Sequence, residues 1–310
     1  MLSRPVAIAL NTYRESVRAR IFHGLFALAL GTVGYSLVIG AYAVRNHLRV
    51  VSDVGSASIS LYAIIVSIIV AATSLHRELE LKTLLPILAR PISRGQYLAG
   101  KYVGIVLTMA VFVAANAGVL LLAIAPLAGR PVGWSLLVGG GVTGGAVAVA
   151  FLRRRWATYL PIPWAILTVA LGWQLASVAP DDRLVIVVLS ALALLEVAIV
   201  TAIAMVFASF SSPFLSAIFT LGVFLVGRSA DTLGKLPSRV FGEAIKQGGE
   251  ALSKVVPNLM VYVPPRPLIV GEVVSVSLGP YVGMAVVQAV GWSCALLLVA
   301  IVVFQRRDFT

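Results

Sequence analysis

"AVAVAFLRRRWATYLPIPWAIL", residues 146–167, sets three consecutive arginines between two apolar runs, and its reading decides how many times the chain crosses a membrane. A charged side chain is costly at the centre of a bilayer, whereas Arg and Lys at the end of a span are stable at the interface and are enriched on the cytoplasmic side. Arg153, Arg154 and Arg155 therefore mark a short connection, and the runs 132–152 and 159–179 are two antiparallel spans. If neither run crossed, the triplet would fall on the outer face, against the positive-inside rule.

Working outward, 60% of the residues are hydrophobic, only 12% are charged and the mean hydropathy is +1.00. Soluble domains carry about 25% charged residues, so the chain is an integral membrane protein, an all-α polytopic helical bundle forming one transmembrane domain over 1–310. Crossing about 30 Å of hydrocarbon takes around 20 apolar helical residues. Eight candidates follow, at 21–44, 57–75, 101–125, 132–152, 159–179, 184–210, 213–228 and 281–304. The run 213–228 has about 16 residues and follows "SSP", which leaves it tilted, re-entrant or continued by the polar stretch after it.

With the N-terminus in the cytoplasm, eight crossings return the C-terminus to the same side. Fourteen cations then lie inside, against four in the short outer loops and six more between Arg228 and Pro280. Within 1–20, Val6, Leu10, Tyr13 and Val17 recur at helical spacing with Arg14 and Arg18 on another side, the pattern of an amphipathic helix in the inner headgroup layer. The run 21–44 is too long for a signal-peptide core and is expected to remain as the first span. The extracytoplasmic segment 229–280 is polar and proline-rich. There "RVFGEAIKQGGEALSKVV" reads as two weakly amphipathic turns interrupted by Gly248 and Gly249, resting on the outer surface. A segment of this size with so few core positions is too small for a soluble catalytic domain.

The net charge of +12 raises a nucleic-acid partner, but the basic residues sit at the ends of apolar runs, where they set orientation and meet lipid headgroups, so no nucleic acid is expected. "GGGVTGG" at 139–145 lacks the lysine and preceding strand of a phosphate-binding loop, and no such loop occurs elsewhere, so the chain has no ATPase motif of its own. The spacings Gly140–Gly144 and Gly141–Gly145 instead predict close helix packing. His23, His47 and His76 are isolated from one another and from carboxylates, no nucleophile elbow occurs, and the single Cys294 lies in an apolar run where packing is expected. Catalytic residues, a metal site and a bound cofactor are therefore not expected. Glu196 differs, because it lies near the middle of the sixth span, where a carboxylate must be protonated, paired or turned to a polar cavity. It either binds substrate or relays a proton, or it is a neutral group hydrogen-bonded to a neighbouring helix.

The loop from His76 to Lys101 has a net charge of +3 with His neutral. Leu75, Leu79, Leu81, Leu84, Leu85 and Leu88 recur at helical spacings, and Glu78 stands four residues before Lys82. Arg90-Pro91 ends this helix, and the chain restarts after "SRG" as the third span. An exposed "LLPIL" patch needs a partner or the lipid surface to cover it.

"RELELKTLLPILARPISRGQYLAGKY" resembles the cytoplasmic loop after the second span of type-2 ATP-binding-cassette transporter permeases, in which R-E-x-E leads through Thr-Leu and a Leu-Ala-x-Pro turn to S-R-x-x-Y-L-x-G-K. "VVPNLMVY" at 255–262 and "VFQRRDF" at 303–309 are similar to the family's outer Pro-Asn-Leu segment and basic ending. The resemblance implies a six-span core, here with the extra pair 132–152 and 159–179. It also implies that the loop couples to a separate ATPase subunit, which carries the ATP and Mg²⁺. Carried over by position, Glu78, Glu80, Thr83, Arg90, Pro91, Ser93, Arg94 and Lys101 match the motif, whereas Lys82 stands where many relatives have Gly; with Lys82, Leu84, Leu85 and Leu88 they are the candidate ATPase-binding residues. Glu78 and Glu80 would meet basic residues, the leucines would fill a groove, and Arg94 would bond the ATPase or its own loop. The remaining partners implied are a second copy or related permease, membrane lipid and an extracytoplasmic accessory protein, in the inner membrane of a bacterium. The rival readings are a non-transporting subunit that couples an outer partner mechanically, and an ion-driven secondary transporter, which calls for more intramembrane ionisable groups than Glu196.

Overall fold

Wherever lipid surrounds a chain, its backbone amides must be satisfied internally, and the α-helix does this within each segment. The computed structural model describes residues 4–43, 45–80, 93–233, 235, 243–273 and 276–306, and no strand occurs among them. Its helices are α1 (Arg4–Arg18), α2 (Arg20–Tyr42), α3 (His47–Glu80), α4 (Arg94–Leu127), α5 (Val132–Leu152), α6 (Pro161–Leu175), α7 (Pro180–Ala208), α8 (Pro213–Arg228), the single turn α9 (Ala230–Leu233), α10 (Glu243–Val255), α11 (Arg266–Val270) and α12 (Leu278–Gln305). Seven of them, α2 to α7 and α12, are long and apolar enough to cross a bilayer, α6 with the help of a 3₁₀ turn at Ala176–Val178. The 16 residues of α8 reach only about 24 Å at 1.5 Å per residue, short of the full hydrocarbon thickness.

Two helices exceed the expected spans. α3 and α4 each run 34 residues, about 50 Å, and project beyond the apolar layer. Charged Arg49 and Asp53 end the apolar run in the sequence, yet both lie inside α3. Asp53 is satisfied there by Arg266 at 2.7 Å and by Arg49 at 3.7 Å.

The core centres on α3, α4 and α7, with α12 against α7 and α4, and α2 against α3 and α4. The amphipathic α1 is present and packs on α4, burying Ala9, Thr12, Tyr13, Ser16 and Val17. Burial, then the neighbouring Tyr159, push the Tyr13 phenol up to about 12, so it stays neutral in this contact. The contact is backbone-close: a Cβ on Gly104 would lie 2.5 Å from the Ala9 carbonyl oxygen.

The extra pair docks in a way the glycine spacing does not predict. No residue of α5 is buried, and a Cβ on Gly140, Gly141, Gly144 or Gly145 would meet nothing within 4 Å. Among the described residues the expected packing at these glycines is therefore absent, because α5 lies at the periphery. The close approach belongs to α6 against α4, where a Cβ on Gly118 would sit 2.8 Å from backbone atoms of Thr168 and Val169 and one on Gly172 2.9 Å from Leu121 Cβ. Gly118→Val should cost about 1 to 3 kcal/mol as overpacking that backbone cannot relieve, while Gly144→Val should stay within about 0.5 kcal/mol. Thermal melts of the two variants side by side check this, and equal shifts would contradict the packing described.

Two further expectations change. Cys294 is exposed on α12 rather than packed. α10 runs unbroken through Gly248 and Gly249, because each glycine costs only about 1 kcal/mol in a helix and the flanking turns are joined by Lys246 and Glu250 at 3.9 Å. Elsewhere in the segment 229–280, the stretch 258–262 packs against α12. Tyr262 donates to the Ala285 carbonyl at 3.2 Å and Gln288 Nε2 to the Asn258 carbonyl at 3.2 Å, with Leu259 and Tyr262 buried beside α12. The short α8 leaves room for it: Gly227, near the end of α8, abuts the Pro257 carbonyl.

Candidate functional site

The loop 76–101 is rooted at both ends. On its far side Ser93 opens α4 with a capping box, its hydroxyl accepting from Gln96 N–H at 3.2 Å while Gln96 Oε1 accepts from Ser93 N–H at 3.4 Å. One residue on, the Arg94 guanidinium donates to the carbonyls of Phe304 and Gln305, at 3.4 and 2.9 Å. Those are orphan acceptors at the end of α12, where a cation also suits the helix dipole. Tyr97 stacks on Phe304 with ring centroids 6.4 Å apart. Together these contacts fasten the start of α4 to the end of α12.

Lys101 fastens it to α3. Its Nζ donates to the Ser74 carbonyl at 2.5 Å and to Ser74 Oγ at 2.9 Å, and lies 5.6 Å from the Tyr97 ring centroid. Lys101 is 1% exposed, a burial an ammonium tolerates only when its donors are satisfied. Among the motif residues, then, Arg94 and Lys101 face α12 and α3, and Ser93 caps its own helix. The backbone puts Glu78 and Glu80 in the last turn of α3. Lys82, Thr83, Leu84, Leu85, Leu88, Arg90 and Pro91 lie outside the described residues.

Glu196 is fully buried in α7 and is paired. Arg228 at the end of α8 grips it through a planar fork, Nε to Oε1 at 2.6 Å and Nη2 to Oε2 at 2.8 Å, with Ser60 Oγ of α3 at 3.4 Å from Nη2. The fork joins three helices at the level where α8 stops. The sequence places Arg228 among the outer cations, and its partnership is hidden there because the two residues are 32 positions apart. A span too short to cross that ends in Arg, facing a span with a central Glu, was the available signal.

Beyond this pair a cavity of about 420 Å³ is lined by Arg49, Asp53, Ser56, Ser60, Tyr262 and Arg266, among others. Arg266 holds its wall together. It donates to Asp53 at 2.7 Å, Asp182 at 2.5 Å and Ser52 Oγ at 3.0 Å, while Ser52 donates in turn to Asp182 at 2.8 Å. Burial acts to lower the Arg266 pKa, but the hydrogen bonds and charges of Asp182 and Asp53 outweigh it and hold it above the ordinary range. Ser60 both lines the cavity and meets Arg228, so the polar wall runs from Arg49 inward to the buried ion pair. No group of three or more metal-ligating side chains occurs among the described residues.

A family model described as ABC-2 family transporter protein matches residues 14–169, half of the chain. The chain belongs to the ABC-2 transporter family. It is thus a membrane component of an ATP-binding-cassette transporter, and the match takes in the loop 76–101, α5 and most of α6. No curated protein matches it. Glu196, Arg228, Asp182 and Arg266 lie in the ABC-2 chain beyond the matched residues, while Arg49, Asp53, Ser56 and Ser60 of the cavity wall lie within them, so the reading of the site rests on geometry.

Proposed function

We propose that this ABC-2 permease docks a separate ATPase on the loop 76–101, with its ends of the bundle in the cytoplasm, and works as a pair of copies that export a substrate. The observation that carries the reading is the double root of the loop. Lys101 ties the start of α4 to α3 and Arg94 ties it to α12, so a force delivered to the start of α4 is shared by α3, α4 and α12. ATP and Mg²⁺ belong to the ATPase, and this chain supplies the lever. The cavity that ends near the Glu196–Arg228 pair supports a substrate route along α3, and the polar lining from Arg49 to Ser60 suits a hydrated passage.

Glu78→Lys with Glu80→Lys is the direct test. It changes the local charge by four units, taking the loop from +3 to +7. Losing a few charge-assisted contacts of about 1.5 to 3 kcal/mol each should weaken ATPase binding more than about a hundredfold. The melt of the purified permease should barely move, because both residues stand in the last turn of α3, beyond its apolar run. Undiminished copurification of the ATPase with the double variant would overturn the docking assignment.

A further inference from the structure

A second cavity, of about 270 Å³, opens between α2, α4, α5 and α6. Of its lining residues only His23, Thr143 and Trp164 carry polar side-chain atoms. Two of these satisfy each other, Trp164 Nε1 donating to Thr143 Oγ1 at 3.2 Å, and His23 Nδ1 lies 3.1 Å from the Ala19 carbonyl. Water there would lack the two to four polar partners it needs, so the slot suits hydrocarbon. It also separates α5 from the core, where an empty gap would forfeit dispersion contacts.

At the loop end the character changes sharply. Val17, Ala150, Ala157 and Leu160 line the slot, and beside them in the chain stand Arg18, Arg20 and the exposed Arg153, Arg154 and Arg155. Arg18 Nη2 donates to Thr158 Oγ1 at 3.1 Å, and the Arg14 guanidinium lies 4.9 Å from the Tyr159 ring centroid, so α1 and the α5–α6 turn form one basic rim. Across 14–23 and 153–160 there are six arginines and one acid, Glu15. Arginine keeps its charge at any working pH and its fork matches phosphate.

We propose that this slot binds an anionic phospholipid of the adjoining leaflet, with an acyl chain between α5 and the core and the phosphate on the arginine rim. The slot selects hydrocarbon and the rim selects negative charge, and an anionic lipid of the surrounding bilayer supplies both. Bound there, it wedges the peripheral α5 against α6, whereas a helix from a second copy would leave the rim uncompensated.

Native mass spectrometry of the detergent-purified chain, titrated with phosphatidylglycerol or phosphatidylcholine of the same acyl composition, tests this. Because several basic residues stand near the headgroup position, phosphatidylglycerol should bind at least about tenfold more tightly. Arg153→Gln, Arg154→Gln and Arg155→Gln together should abolish that preference, and Ala146→Phe, which fills the slot, should reduce retention of both lipids. If the triple variant does not fold, Arg154→Gln alone should narrow the preference. Equal binding of the two lipids by the unaltered chain would overturn the proposal. So would an undiminished preference in a folded arginine variant, or unchanged retention in Ala146→Phe. None of these outcomes bears on whether the ATPase binds the loop.

Discussion

Arg228→Met should destabilise the bundle by about 3 to 5 kcal/mol, because it leaves the Glu196 carboxylate buried without its cation. Glu196 has no exposure to solvent and both its oxygens are engaged by the guanidinium fork. Adding Glu196→Leu to Arg228→Met should recover most of the loss, since removing both members of a buried pair is often close to neutral. Glu196→Gln should keep the assembly and cost less, as its amide oxygen still accepts from Arg228. Unfolding titrations in mild detergent of the two single variants and the double one check the first claim. A double variant no better than Arg228→Met would show that the pair is not the source of the effect. The same series separates structure from transport. If Glu196→Gln leaves transport unchanged across pH, the carboxylate serves to fasten α8 to α7 and does not carry substrate or protons.

Arg266→Ala should cost about 2 to 4 kcal/mol, since it strands two carboxylates, one of them nearly buried, that a single guanidinium satisfies. Asp182 and Ser52 are both buried, while Asp53 keeps partial exposure and the neighbouring Arg49, which holds the figure below that for Arg228. Arg266→Lys should fall between the alanine variant and the unaltered protein, because an ammonium keeps the charge but cannot reproduce a fork reaching Asp53 and Asp182 at once. The readout is again unfolding in detergent. Equal stability of the lysine variant and the unaltered protein would mean that charge alone, without geometry, holds α3, α7 and α11 together. Because these residues wall the cavity, the alanine variant should also loosen α11 and raise hydrogen exchange at Leu268 and Ile269, which are buried beside it.

Much of the fold is readable along the chain because lipid imposes a local rule: each span must be a helix, and its length and flanking charges follow from the bilayer. Residues 146–167 accordingly become α5, a basic turn and α6. The loop motif is legible for the same kind of reason, since its contiguous residues carry the family resemblance that the match over 14–169 supports. Glycine spacing was legible only as a type of contact. The run 139–145 and the pair Gly100–Gly104 both fit the small-residue pattern, but only at the second does a neighbouring backbone come close, and which glycines meet a neighbour depends on where each helix is placed.

By itself, then, the sequence determined the all-α membrane class, the positions of the spans, the short α8 and the family-type motif of 76–101, all of which depend on residues close together in the chain. Tertiary structure alone decided that Lys101 and Arg94 turn inward to root that loop, that Glu196 belongs to Arg228 and Asp182 to Arg266, and that α5 stands off from the core above an apolar slot. The physical reason is that these hydrogen bonds and ion pairs join residues 27 to 211 positions apart, where no periodicity or spacing in the chain records which side chains will meet.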